Sequence, residues 1–104
     1  MNTFHGKTLS ELWDIVRSIP RGRVMSYGEV GLRLVHPASG FMVGRWMAQC
    51  PEGIPWWRVV AKTGALPIGK RHPHLMSEQE ERLRAEGVIF VKTGLIDMPS
   101  SRWE

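Results

Sequence analysis

The residues best able to do chemistry lie in the run Ile54-Pro55-Trp56-Trp57-Arg58-Val59. Five tryptophans in 104 residues is a high count, and three of them (Trp13, Trp46 and one of the adjacent pair) suffice to fill a core, since each ring buries a large apolar area. Successive side chains of an extended segment point to opposite sides, so Trp56 and Trp57 cannot both face one core. One of them is a candidate for a pocket wall or a stacking platform. The other reactive groups are less pointed. Cys50 is the single cysteine and could act as a nucleophile, but it ends the apolar stripe of a helix, where a buried inert thiol is the commoner outcome. His72-Pro73-His74 is the only clustered histidine pair and lacks the spacing of a metal site. There is no Gly-x-Ser-x-Gly elbow, phosphate-cradling glycine loop or spaced pair of catalytic carboxylates. The sequence therefore predicts no catalytic residue, no metal and no cofactor.

A binding role fits the charge. Between Arg17 and Arg71 nine basic residues face only Glu29 and Glu52, whereas the remainder of the chain holds five basic and eight acidic residues. The net charge of +4 is thus concentrated in the middle of the chain, and a polyanion is its natural partner. With 42% hydrophobic and 23% charged residues the composition is that of a globular protein, and the length predicts a single domain over residues 1–104. One cysteine excludes an internal disulfide framework and fits a reducing, cytoplasmic setting. No apolar run approaches the roughly 20 residues needed to cross a bilayer, and the first residues lack the apolar core of a signal peptide.

The elements that must position these groups can be placed by periodicity and caps. Thr8 and Glu11 have capping-box spacing, and Leu9, Leu12, Trp13, Val16 and Ile19 recur at helical intervals, predicting a helix from Thr8 to Ile19 that Pro20 ends. A second box, Ser26 and Glu29, predicts a helix from Tyr27 to Val35, broken by His36-Pro37-Ala38. Ser39 caps a third, from Gly40 to Gln49, with Met42, Val43, Trp46, Met47 and Cys50 on one face and Phe41, Arg45 and Ala48 elsewhere. Two short helices joined by a tight turn suggest a helix-turn-helix. Arg58 to Lys62 reads as a strand turning at Thr63-Gly64 into Ala65-Leu66, as in a small β wing. Gly69 to His74 reads as a basic loop. Ser77 and Glu80 box a charged helix that reaches Glu86 and stops at Gly87, and Val88 to Ile96 reads as a closing hairpin. The fold class is mainly α with a small β wing.

Taken in order, Ile19-Pro20-Arg21-Gly22-Arg23-Val24-Met25-Ser26-Tyr27-Gly28-Glu29-Val30, Val43-Gly44-Arg45 and Ile54-Pro55-Trp56-Trp57-Arg58-Val59-Val60 resemble the DNA-binding domain of the O6-alkylguanine-DNA alkyltransferases. The likeness spans about residues 8 to 91 and implies a winged helix-turn-helix. The enzymes carry Pro-Cys-His-Arg-Val where this chain has Pro55-Trp56-Trp57-Arg58-Val59; their cysteine accepts the alkyl group and their histidine activates it. An indole offers no thiolate-like nucleophile, so the resemblance narrows to the alkyltransferase-like proteins, which carry tryptophan at the acceptor position. It implies a non-enzymatic monomer that binds O6-alkylguanine in double-stranded DNA by nucleotide flipping and flags it for nucleotide-excision repair proteins, near the nucleoid.

By position, the resemblance gives Tyr27 a place against the phosphate 3′ to the target nucleotide and takes the helix capped by Ser39 into the minor groove. The finger that fills the hole left by the flipped base, an arginine in the family, falls on Phe41, with Arg45 one turn on as the alternative. Lys70 and Arg71 would contact base or phosphates. Tyr27, Met47, Trp56, Trp57, Arg58 and Val59 would surround the modified base, and Glu86 matches a glutamate of the enzymes' hydrogen-bond relay, which here has nothing to activate. Most alkyltransferase-like relatives keep histidine where this chain has Trp57. Two other readings stand beside this one: a winged-helix transcription regulator that reads undamaged DNA as a dimer, and an active alkyltransferase that uses Cys50.

Overall fold

A computed structural model describes residues 3–70 and 72–104, the side chains of residues 3–5, 69 and 70 aside. Helix α1 (Thr3–Ser18) is followed by strand β1 (Met25–Ser26), helices α2 (Tyr27–Leu32) and α3 (Gly40–Met47), a 3-10 turn (Trp56–Arg58) and strand β2 (Val59–Val60). A second 3-10 turn (Pro67–Lys70), helix α4 (Pro73–Ala85), the hairpin β3 (Phe90–Lys92) and β4 (Leu95–Ile96), and a short α5 (Met98–Ser101) complete the chain.

The apolar stripe of α1 closes on the helix-turn-helix. Leu12, Val16 and Ile19 are wholly buried with Met25, Val30 and Val43, and the half-buried rings of Trp13, Tyr27 and Trp46 pack around them. A second cluster, Val24, Val60, Leu66, Leu83, Val88 and Ile96, lies under α4 and the hairpin and takes Trp57 against its edge. Strands β1 and β2 pair in parallel, Met25 with Val59 and Ser26 with Val60. Because alternate residues of each strand face opposite sides, Met25 and Val59 enter the first cluster while Val60 enters the second. The parallel pair is thus the seam between the two cores, and the Trp56–Arg58 turn leads directly into β2.

Caps explain where the predicted elements hold and where they differ. Ser26 Oγ accepts the Glu29 N–H at 3.2 Å and Ser39 Oγ accepts the Met42 N–H at 3.2 Å, so α2 and α3 start where their caps predict. Each ends early, at Leu32 and Met47 rather than Val35 and Gln49. The other two boxes are not caps. Helix α1 already begins at Thr3, leaving Thr8 inside it, and Glu11 Oε2 instead accepts the Val35 N–H at 2.8 Å across the fold. Helix α4 begins at Pro73, whose missing N–H and fixed φ suit a first helical position, so Ser77 is internal and Glu80 instead accepts the Gly94 N–H at 2.7 Å. His74, and not only the residues after it, is therefore helical. Gly87, at φ +91°, ends α4 as expected. The strand predicted from Arg58 to Lys62 shrinks to Val59–Val60, since Arg58 belongs to the 3-10 turn and Ala61 to Ala65 form a tight loop. Ala65 pairs antiparallel with Leu95, so the wing is the β3–β4 hairpin with Ala65 on its flank.

Candidate nucleic-acid interface

Two short helices make the first half of the site. Gly31 of α2 is buried, and a Cβ there would lie 2.0 Å from Ala38 O; the Ala38 N–H returns a hydrogen bond to Gly31 O at 3.1 Å. This backbone approach sets how α3 leaves α2. On α3, Gly40 lies close to the start of α2: a Cβ there would lie 3.1 Å from the Gly28 backbone nitrogen and 3.4 Å from Tyr27 Cβ, whereas one at Gly44 would make only ordinary contact with the Tyr27 ring at 3.9 Å. Burial pushes the Tyr27 hydroxyl above its ordinary pKa, so it is a neutral donor at physiological pH.

On the outward side of α3 Phe41 is 71% exposed. The Arg45 guanidinium lies 5.9 Å from its ring centroid, within cation–π reach at the expected one-turn spacing. Met47 is half-buried against the first core, and Ser39, though exposed, spends its hydroxyl on the cap. Met42, predicted on the apolar face, is 37% exposed and sits at its margin.

The second half is the turn Trp56–Arg58. It is not extended, so the two indoles separate by rotation rather than by alternation. Their rings meet edge to face, 6.0 Å apart at 84°. Trp57 lies against the second core, and its Nε1–H donates to Glu86 Oε2 at 2.9 Å. Arg82 stacks on the same ring at 4.4 Å. Trp56 is half-buried and belongs to neither described core cluster. Arg58 turns inward: its Nε and terminal nitrogen donate to Glu86 at 3.0 and 2.7 Å, and its remaining nitrogen donates to Ile19 O at 2.9 Å. Val59 is 1% exposed, within the first core.

Glu86 joins these parts. Burial alone would raise its pKa; donors from Arg58 and Trp57, the Gly22 backbone N–H at 3.2 Å and the Arg58 charge overcome that and hold it below the usual carboxylate range. One carboxylate thus ties α4, the turn before β1 and the Trp-Trp-Arg turn. Cys50 is a poor nucleophile. It packs half-buried on the first core, and burial, opposed only by the charge of Arg17, pushes its thiol up to about 11, so it stays protonated at neutral pH.

Among the predicted residues, then, the fold brings Tyr27, Met47 and Val59 to one core, Phe41 and Arg45 to one exposed helical face, and Trp57 and Arg58 to one carboxylate. Arg71 and the Lys70 side chain lie outside the described residues. His72 and His74 touch edge to face at 5.7 Å, and among the described residues no group of three His, Cys, Asp or Glu side chains could hold a metal. No described helix is long and apolar enough to cross a membrane. Sequence reasoning missed Gln79, whose side chain donates to the carbonyls of Trp57 and Val59, and the close approach of Gly40 to the Gly28 backbone.

Residues 7–88 match the family described as 6-O-methylguanine DNA methyltransferase, DNA binding domain. The chain belongs to that family. Among its relatives, a DNA base-flipping protein of Escherichia coli (strain K12) is 37% identical over 94 residues, covering 88% of this chain and 70% of that one. Alkyltransferase-like protein 1 of Schizosaccharomyces pombe is 32% identical over 102 residues, covering 91% and 93%. The crystal structure of S. pombe Atl1 in complex with damaged DNA containing O6-carboxymethylguanine superposes with a TM-score of 0.83, covering 95% of this chain and 96% of that chain at 26% identity. The winged helix-turn-helix expected from the resemblance is therefore the fold of this family member, and DNA is the ligand class its family description names.

Proposed function

We propose that this protein recognises O6-alkylguanine in duplex DNA by turning the modified nucleotide out of the stack, leaves the alkyl group in place, and flags the site for nucleotide-excision repair. The observation that carries the reading is Trp56, a half-buried indole on a pinned turn, at the position that the motif order Pro55-Trp56-Trp57-Arg58-Val59 aligns with the enzymes' acceptor cysteine. An indole N–H donates but has no proton-accepting lone pair, and carbon and nitrogen of the ring are not nucleophiles at neutral pH. The surface that would transfer an alkyl group is thereby a surface that can only contact one.

Phosphate contacts from the basic middle of the chain would hold the duplex. Phe41, projecting from α3 with Arg45 beside it, is an apolar wedge for the gap that a flipped base leaves, as minor-groove proteins use elsewhere. Alkylation at O6 weakens pairing, so flipping the modified base costs less than the few kcal/mol needed for an intact one, and selectivity begins there. Each buried CH2 of the adduct would add about 0.8 kcal/mol against the Trp56 wall.

The test compares a duplex containing one O6-methylguanine with its guanine twin at several matched salt concentrations. Tighter binding to the modified duplex, with no change in protein mass after incubation, is the expected result. Equal affinities remove lesion recognition, and a gain of one methyl mass restores the enzymatic reading.

A further inference from the structure

The inner face of α4 carries Gln79 and Leu83, and Glu86 caps its C-terminus one turn on, so that all three meet the segment Trp56–Val59 or the core beneath it. Glu86 grips the side chains of that segment. Gln79 grips its backbone: its Nε2 donates to Trp57 O at 3.1 Å and to Val59 O at 3.2 Å. The two bonds fix the Trp57–Arg58 and Val59–Val60 peptide planes, the last of the turn and the first of β2. The amide cannot be turned over, because its oxygen would then face two carbonyl oxygens.

That arrangement has a cost. Gln79 is 1% exposed, and among the described residues its Oε1 is a buried side-chain atom with no donor. A methionine or leucine would fill similar volume with no orphaned acceptor, so packing alone does not call for an amide here. What the amide uniquely provides is two donors aimed at the turn that carries Trp56. Trp56 is held through its backbone and its neighbour: its N–H donates to Ile54 O at 2.7 Å, its carbonyl accepts the Val59 N–H, and its ring meets Trp57 edge to face, so its ring goes where the backbone of the turn goes.

We propose that Gln79 is a positioning residue for lesion discrimination: by holding the carbonyls of Trp57 and Val59 it fixes the turn, and so fixes the Trp56 wall before DNA arrives. The inference rests on the reading of Trp56 as the wall of the base pocket. Discrimination, rather than general DNA affinity, is what a loosened wall loses, since phosphate contacts are made elsewhere.

The experiment uses Gln79→Met in the full chain with two probes. The first is the ratio of affinities for an O6-methylguanine duplex and its guanine twin. The second is 19F spectroscopy of protein labelled with 5-fluorotryptophan, the Trp56 resonance being assigned with Trp56→Phe. Expected are unchanged affinity for the guanine duplex, a ratio lowered roughly tenfold, as the loss of one or two net hydrogen bonds implies, and a shifted or broadened Trp56 resonance with those of Trp13, Trp46 and Trp103 unmoved. An unchanged ratio with an unchanged Trp56 resonance overturns the proposal, as does an equal loss on both duplexes. If the native protein shows no lesion preference, the functional reading fails, while the Trp56 resonance still decides whether Gln79 positions that ring. Should Gln79→Met not fold, the side-chain amide protons of Gln79 in the native protein replace it: they should exchange slowly and shift with the modified duplex only, and a shift common to both duplexes, or none, rejects the idea.

Discussion

Replacing Trp56 by cysteine asks whether a nucleophile alone would restore group transfer. A thiol needs a base to become a thiolate at neutral pH. Its neighbour Trp57 offers only an N–H, and that donor is already committed to Glu86 at 2.9 Å. Trp56→Cys is therefore expected to gain no alkyl mass after mixing with methylated DNA, whereas Trp56→Cys with Trp57→His should gain one, read by intact-protein mass spectrometry; labelling of the single variant would show that the base is dispensable. Glu86 makes a second prediction at this scale. Its folded pKa is depressed, so the stability it contributes is fully present above its unfolded value and is lost as pH falls through the lower folded value. Glu86→Ala leaves the Arg58 guanidinium, 14% exposed, without its counter-ion and should cost about 3 kcal/mol in urea unfolding at pH 7. The gap between the native protein and the variant should close on acidification below the usual carboxylate range; a gap independent of pH would mean that the ion pair contributes nothing. Glu86 was legible in the sequence through its place in a known motif order. Gln79 was not, because its partners are backbone carbonyls twenty and more positions away, and no spacing rule encodes a side chain aimed at a distant main chain.

Helix boundaries divide in the same way. Ser26 and Ser39 could be read because each stands directly behind a break that ends what precedes it, so nothing upstream competes for the start. Thr8 and Ser77 have the same local pattern, but helical residues extend before them, and a cap is only a cap where the helix has no earlier turn. The β wing was half legible: turn residues at Thr93-Gly94 mark the hairpin, whereas the parallel pairing of β1 with β2 joins residues more than thirty apart and leaves no local trace. The helix-turn-helix was legible, but the close approach of Gly31 to Ala38 that sets it was invisible, because glycine in a helix carries no apolar signal. It is testable. Gly31→Ala places a Cβ 2.0 Å from Ala38 O and 3.2 Å from Val43 Cγ2, and the backbone atom cannot rotate away. Overpacking of this kind should cost about 1–3 kcal/mol. Because the turn itself must open, DNA affinity is expected to fall together with the thermal midpoint; a midpoint equal to that of the native protein would mean that the helices separate freely.

Across the whole molecule the positive charge is less uniform than the count of basic residues suggests. Arg58 is neutralised inside the fold, and Arg17 is paired with Asp14 at 2.8 Å on the surface. Arg33 lies over the Trp103 ring at 4.8 Å, where it keeps its charge but is held in place. Arg45 stands exposed on the same face as Phe41, and the two side chains should act on different quantities. A cation that neutralises a phosphate releases a counter-ion, so each such contact adds about 0.9 to the slope of log affinity against log salt. Arg45→Ala should therefore reduce that slope by about 1 and weaken modified and unmodified duplexes alike. Phe41→Ala removes no charge, so its slope should match that of the native protein while the preference for the O6-methylguanine duplex shrinks. If the phenylalanine variant weakens both duplexes equally, the ring is not a wedge. If instead the arginine variant changes the preference and leaves the slope intact, then Arg45 reads the orphaned base and the cation–π pair on α3 works as a single finger.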